Sequence, residues 1–237
     1  MYFYTTMAGL YLIPIPIAEN GLHTLSDEVK TITGDLQYYF VENIRTARRF
    51  LKALHPAIVI DDLHFSEIDK HDGPDMSLLV TWLGNGYNIG VMSEAGCPGI
   101  ADPGSILVKK AHELNADVIP LTGPNSIILA LMASGLNGQS FAFTGYLPLK
   151  DPERSHRIKE LEQHSTREKQ TQAFIETPYR NNTLLEDMLK NCRGNTLLCI
   201  AQNITSPDAF IKTRSISEWK KNKPALAKLP AVFLLLA

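Results

Sequence analysis

Three apolar runs in the first half of this chain each break off into glycine, proline and small residues, and no other feature limits the possible folds as much. The first is LYLIPIPI from Leu10. The second ends at Ser93 and is followed by Glu94-Ala95-Gly96-Cys97-Pro98-Gly99-Ile100-Ala101-Asp102-Pro103-Gly104. The third ends at Leu121 and is followed by Thr122-Gly123-Pro124-Asn125-Ser126. Apolar runs alternating with helical periods read as parallel strands joined by helices, and in open α/β sheets ligands lie beyond the carboxyl ends of the strands. Any one such loop is as readily a plain tight turn. Three of them point to main chain laid bare for a ligand.

The spacing predicts strands over 10–17, 38–42, 88–93 and 117–121, with helices over 28–33, 46–54, 76–83, 103–114 and 127–134. Asp102 followed by Pro103 is expected to cap and open the helix over 103–114. From Phe141 the pattern changes. Strands are expected over 141–147, 171–176, 196–201, 210–215 and 231–236, with a charged helix and loop stretch over 150–170 and helices over 179–190 and 217–222. The later strands follow one another like hairpins, which favours antiparallel pairing. The expected fold class is α/β, built of two α/β domains over 1–124 and 125–237, the first with a mainly parallel sheet and the second with a mixed sheet.

With 237 residues, 44% of them hydrophobic, the chain can bury one large core or two small ones. A formal net charge of -2 sets up no general field for a polyanion or an anionic membrane, so any nucleic-acid contact must be local. The three cysteines, Cys97, Cys192 and Cys199, form no CxxC pair, which suits a reducing compartment without disulfides. The opening MYFYTTMAG lacks the basic-then-apolar form of a leader, and the run over 231–237 is too short to span a bilayer, so a cytoplasmic location is expected.

Several chemistries are disfavoured. There is no GxxxxGK[ST] phosphate loop, and Gly84, Gly86 and Gly90 follow a helix instead of opening one, unlike a dinucleotide fingerprint. The seven histidines are scattered and no HExxH or clustered Cys/His spacing occurs, so no metal is expected. No GxSxG elbow is present, and Ser126 reads as a helix cap in preference to a nucleophile.

The stretches LYLIPIPI, VENIRTARRFL, VMSEAGCPGIADPGSILV, PLTGPNSIILALMASGL, FAFTGYLP and FIETPYR, in this order, resemble the tetrapyrrole methylase superfamily. Within it the chain is most similar to the bacterial enzymes that methylate the cytidine 2'-oxygen of small-subunit (16S) ribosomal RNA. The resemblance implies S-adenosylmethionine as cofactor, a cleft for it between the two domains, and a homodimer. It implies that Pro16 lines the cofactor, and that Ala95, Gly96, Cys97, Ile100 and Ala101 form the turn around its methionine part. Asn125 and Ser126 would sit at the helix start that follows, while Glu176, Thr177, Asn203, Pro230 and Ala231 would approach the adenosine. Two departures lie on the acceptor side. The ribosomal enzymes carry a histidine-asparagine pair where this chain has Asp69-Lys70-His71, and an arginine-glutamate pair where it has Gln202-Asn203. They also continue into a small helical tail past the last strand, whereas this chain stops at Ala237.

Glu94, beside the glycine turn, is the candidate catalytic residue for proton removal or acceptor placement; capping the turn or binding the donor's ammonium are its alternatives. Arg45, Arg48, Arg49 and Lys52 share a short helical segment that either grips RNA phosphates or forms a solvated basic face. The readings carried forward are ribose methylation of ribosomal RNA, methylation of a tetrapyrrole or other small metabolite, and a cofactor-binding module without catalysis.

Overall fold

Parallel strands buried on both faces carry apolar side chains at nearly every position; among the five strands of the first half, the three central ones show this pattern and the two edge strands do not. The five are β1 (Gly9–Leu12), β2 (Tyr38–Val41), β3 (His64–Glu67), β4 (Ile89–Met92) and β5 (Asp117–Pro120), paired in parallel in the order β3-β2-β4-β1-β5. The computed structural model describes residues 8–69 and 71–237; most of the opening stretch, and Lys70, lie outside the described residues.

Because successive strand residues point to opposite faces, each strand feeds two cores. Tyr39, Val41 and Met92 pack with Val29, Phe50 and Leu51, which come from α1 (Asp27–Asp35) and α2 (Ile44–Leu54). Leu10, Phe40 and Val91 pack on the other side with Leu79, Trp82 and Leu107, from α3 (Met76–Gly84) and α4 (Ser105–Glu113). Gly90 is required within β4: a Cβ there would come within 2.7 Å of the Tyr39 ring and 2.6 Å of Ile13. That ring is fixed by its hydroxyl, which donates to the carbonyls of Thr33 and Leu36 at 3.1 and 3.0 Å.

The chain divides into two compact units, Met1–Asn125 and Ser126–Ala237. The second holds β6 (Phe141–Tyr146), β7 (Thr171–Glu176), β8 (Leu197–Gln202), β9 (Phe210–Ser215) and β10 (Ala231–Leu236) in the order β6-β7-β10-β8-β9. β6 and β7 are parallel and the remaining pairs antiparallel, giving a mixed sheet. Its helices are α5 (Ser126–Ser134), α6 (Glu153–Glu168), α7 (Asn181–Asn191) and α8 (Ile216–Lys221). Phe174, Phe233, Leu184, Met188, Ile158 and Trp219 centre its core. Within it a nearly buried ion pair, Arg154 to Asp187 at 2.6 Å, ties α6 to α7.

Three local expectations need correction. β3 was not expected, because an edge strand reading HFSE is only half buried and carries no apolar alternation. The helix over 103–114 starts later, at Ser105 after Gly104, since Asp102 spends its carboxylate inside the preceding loop. The helix expected over 179–190 also starts later: Pro178–Arg180 forms a single 3-10 turn, without a side-chain cap from Thr177, and α7 starts at Asn181.

Candidate functional site

Proline fixes φ and has no amide to donate, so Pro14 and Pro16 release the chain from the sheet after β1. The released segment then pairs with the glycine turn that follows β4. The Ile15 amide donates to the Gly96 carbonyl at 2.9 Å and the Gly96 amide returns the bond to Ile15 at 2.9 Å. The turn after β5 joins the same assembly. The Cys97 thiol lies 3.5 Å from the Pro124 carbonyl and 3.7 Å from that of Gly123, and a Cβ at Gly123 would fall 2.2 Å from the Pro14 ring. Pro16, Ala95, Gly96, Cys97 and Asn125 are therefore brought together at the carboxyl edge of the parallel sheet.

Asp102 braces the glycine turn from within. Its Oδ1 accepts the Gly99 amide at 2.8 Å and the Gly104 amide at 2.7 Å. That brace permits a run of left-handed residues: Gly96, Gly99 and Ala101 have φ of 78°, 82° and 63°. Ile100, between the last two, is exposed. Burial pushes the Asp102 carboxyl above its ordinary range, the two amides and a Ser93 hydrogen bond oppose the shift, and the Glu42 charge adds to it. Oδ2 of Asp102 is buried without a hydrogen-bond partner among the described residues. Burial also raises the Cys97 thiol, with a hydrogen bond to Asn125 opposing, so this sulfur is neutral at pH 7 and a poor nucleophile.

Glu94 is exposed, and its amide donates to Glu42 Oε2 at 3.1 Å. Glu94 lines an open groove of about 440 Å³ together with Pro16, Asn20, Thr46 and Arg49. Asp69 is used up locally: its Oδ1 accepts the amides of His71 and Asp72 at 2.7 and 2.9 Å, which hold its carboxyl below the usual range.

In the second unit, the remaining expected residues fall at one end of the mixed sheet. Ala231 pairs with Glu176 on one side and with Gln202 on the other, and the Asn203 amide donates to the Pro230 carbonyl at 2.9 Å. The Glu176 side chain is fully buried. Its Oε1 accepts the Thr177 amide at 2.6 Å and the Arg180 guanidinium at 2.6 and 2.9 Å, while Oε2 has no partner among the described residues. Asn203 is left-handed, with φ of 52°. Ser126 is the first residue of α5.

No family profile matches the chain. A ribosomal RNA small subunit methyltransferase I from Vibrio cholerae is 31% identical over 209 residues, covering 88% of this chain and 69% of that protein. Its counterpart from Streptococcus pyogenes serotype M6 is 32% identical over 214 residues, covering 90% and 70%. The chain belongs to the ribosomal RNA small subunit methyltransferase I family. It shares its fold with the methyltransferase CobJ, at a TM-score of 0.60 and 17% identity, over 97% of this chain and 93% of that one. It shares it also with a uroporphyrin-III-C-methyltransferase from Thermus thermophilus, at 0.56 and 14%, over 97% and 92%.

Within this methyltransferase family member, sequence reasoning passed over Glu42 and the bracing role of Asp102. Glu42 contacts Glu94 across two adjacent strand ends separated by 52 residues, and no local pattern announces such a pairing. Asp102 was visible, but its Asp-Pro step mimics a helix start. Among the described residues no group of three or more His, Cys, Asp or Glu side chains is arranged to hold a metal.

Proposed function

We propose that this chain transfers a methyl group from S-adenosylmethionine to a ribose hydroxyl of small-subunit ribosomal RNA. The carrying observation is the tying of three loops into one main-chain surface, by the Ile15–Gly96 pairing and the Cys97 contacts to Gly123 and Pro124. The chemistry of this surface fits the cofactor. The left-handed glycines at 96 and 99 let the main chain bend sharply there with no side chain to fill the space, which suits close approach of a zwitterionic, sulfonium-bearing molecule. When bound, that group supplies a methyl carbon already activated by positive sulfur.

The chain's own residues do the rest. Gly96, Cys97 and Ala101 hold the methionine part through main-chain groups, with Asn125 beside them. The neutral Cys97 thiol protects the donor, because a thiolate in that place would itself take the methyl group. Glu94 accepts the acceptor hydroxyl's proton on its carboxylate, and orienting that hydroxyl supplies much of the acceleration. In the second unit Glu176, Thr177, Asn203, Pro230 and Ala231 contact the adenosine. The same reading takes the chain as a cytoplasmic homodimer. Among the described residues no helix is long and apolar enough to cross a membrane.

The test is a labelled-donor assay with small-subunit particles from a strain lacking this gene, followed by mass analysis of the RNA. A new ribose methyl is expected. Label appearing only in porphyrinoid precursors would move the assignment to a small metabolite, and binding of the donor without transfer to any acceptor would leave a binding module.

A further inference from the structure

A chain with net charge -2 must meet a polyanion through a local device, and α2 carries the four cations Arg45, Arg48, Arg49 and Lys52. Two of these are already committed within the protein. Arg48 lies 3.5 Å from Asp61 and 5.8 Å over the Phe65 ring, and Lys52 donates to the Ile58 carbonyl at 2.9 Å. Arg45 and Arg49 make no hydrogen bond, ion pair or ring contact among the described residues, and both are exposed. They stand four residues apart, hence on one face of the helix.

Arg49 lines the groove of about 440 Å³ that Glu94 also lines, beside Pro16. The groove is thus dipolar, with a free guanidinium from α2 and a carboxylate from the sheet edge. Glu19 adds a second exposed carboxylate to its lining. A polycarboxylate ligand would meet two like charges here for one cation. A ribonucleotide matches better: it offers one phosphodiester anion and, within the same unit, a hydroxyl whose proton a carboxylate can accept.

Resting on the RNA methylation reading, we infer that this groove is the acceptor-nucleotide site. Arg49, with Arg45 one turn before it, pairs with phosphodiester groups flanking the target ribose, and the ribose hydroxyl points to Glu94. Arg49 is then a positioning residue that acts through the backbone of the acceptor, and Arg48 is a structural neighbour with no such part.

The experiment uses the full chain and a single-stranded RNA oligonucleotide of small-subunit rRNA sequence, with binding followed by fluorescence anisotropy over roughly 50 to 200 mM salt. R49Q is expected to weaken binding about tenfold and to reduce the slope of log K against log salt by about 0.7, the loss of one phosphate contact on a single strand. R49K should restore most of the slope, R45Q/R49Q should lose about twice as much, and R48Q should leave the slope alone. In the methylation assay R49Q should raise KM for RNA with kcat largely kept, and donor affinity by calorimetry should be unchanged. A wild-type slope in R49Q overturns the inference while leaving RNA methylation intact, as does a loss in R48Q equal to that in R49Q. A wild-type protein that neither binds nor methylates RNA overturns the RNA reading, and the inference with it.

Discussion

Replacing Gly123 by alanine tests the joining of the loops most directly. A Cβ on Gly123 would lie 2.2 Å from the Pro14 Cβ and 2.3 Å from its Cγ, where ordinary contact begins at 3.4 Å. The opposing atoms belong to a closed pyrrolidine ring that has no rotamer to retreat into, so about 1 Å must come from moving one loop away from the other. No positive φ is involved at Gly123, and alanine would otherwise stabilise by about 0.4–1 kcal/mol through the unfolded chain. Overpacking of this kind costs about 1–3 kcal/mol, so a net loss of stability is expected. The functional loss should be larger, because a shift of about 1 Å in positioning groups costs roughly 100-fold in rate. Gly138, with nothing within 4 Å of its would-be Cβ, is the matched control. The assay pairs thermal melting with calorimetric titration of S-adenosylmethionine. G123A with wild-type donor affinity and turnover would refute the claim that these loops form one surface.

Three further outcomes are expected. D102N keeps an oxygen to accept the Gly99 and Gly104 amides but removes the buried charge. Because the folded carboxyl is raised above 3.8, the wild type loses stability as pH climbs from 3.8 through that raised value, and melting curves should show the advantage of D102N growing over the same range and absent below it. Alkylation by iodoacetamide, followed by mass spectrometry, should modify Cys97 with a pH midpoint above 9.0, while Cys192, pushed up to about 12 by burial, stays unmodified until unfolding. D187A strands the buried Arg154 guanidinium and should cost about 3–5 kcal/mol in urea denaturation, whereas R154M/D187L should recover most of it.

What the sequence made legible follows from where each signal resides. Gly96, Gly99, Gly123, Pro14 and Pro16 are local backbone requirements, and local requirements leave residue-type marks, so the loop-bearing strand ends were readable before any coordinates. β4, buried on both faces, was readable for the same reason. β3 was not, because half-buried edge positions tolerate His64 and Glu67 and leave no period. Asp102 misled because a short carboxylate followed by proline serves a helix start and a braced loop equally well; the choice depends on which amides lie near, and Gly99 lies behind it in sequence. The basic character of α2 was plain, yet which of its cations remain free was decided by Asp61, Phe65 and the Ile58 carbonyl, all outside the helix. Tertiary partners set those roles.

The reciprocal bonds between Ile15 and Gly96 carry one more consequence. Every residue but proline offers both an amide and a carbonyl, so the clasp itself asks nothing of the side chain at position 15 beyond its fit in the core. Selection for escape from an inhibitor seated on that main chain has few single-residue routes open to it, and the accessible ones, such as a lost glycine or a change in loop length, would damage the enzyme along with the drug's foothold.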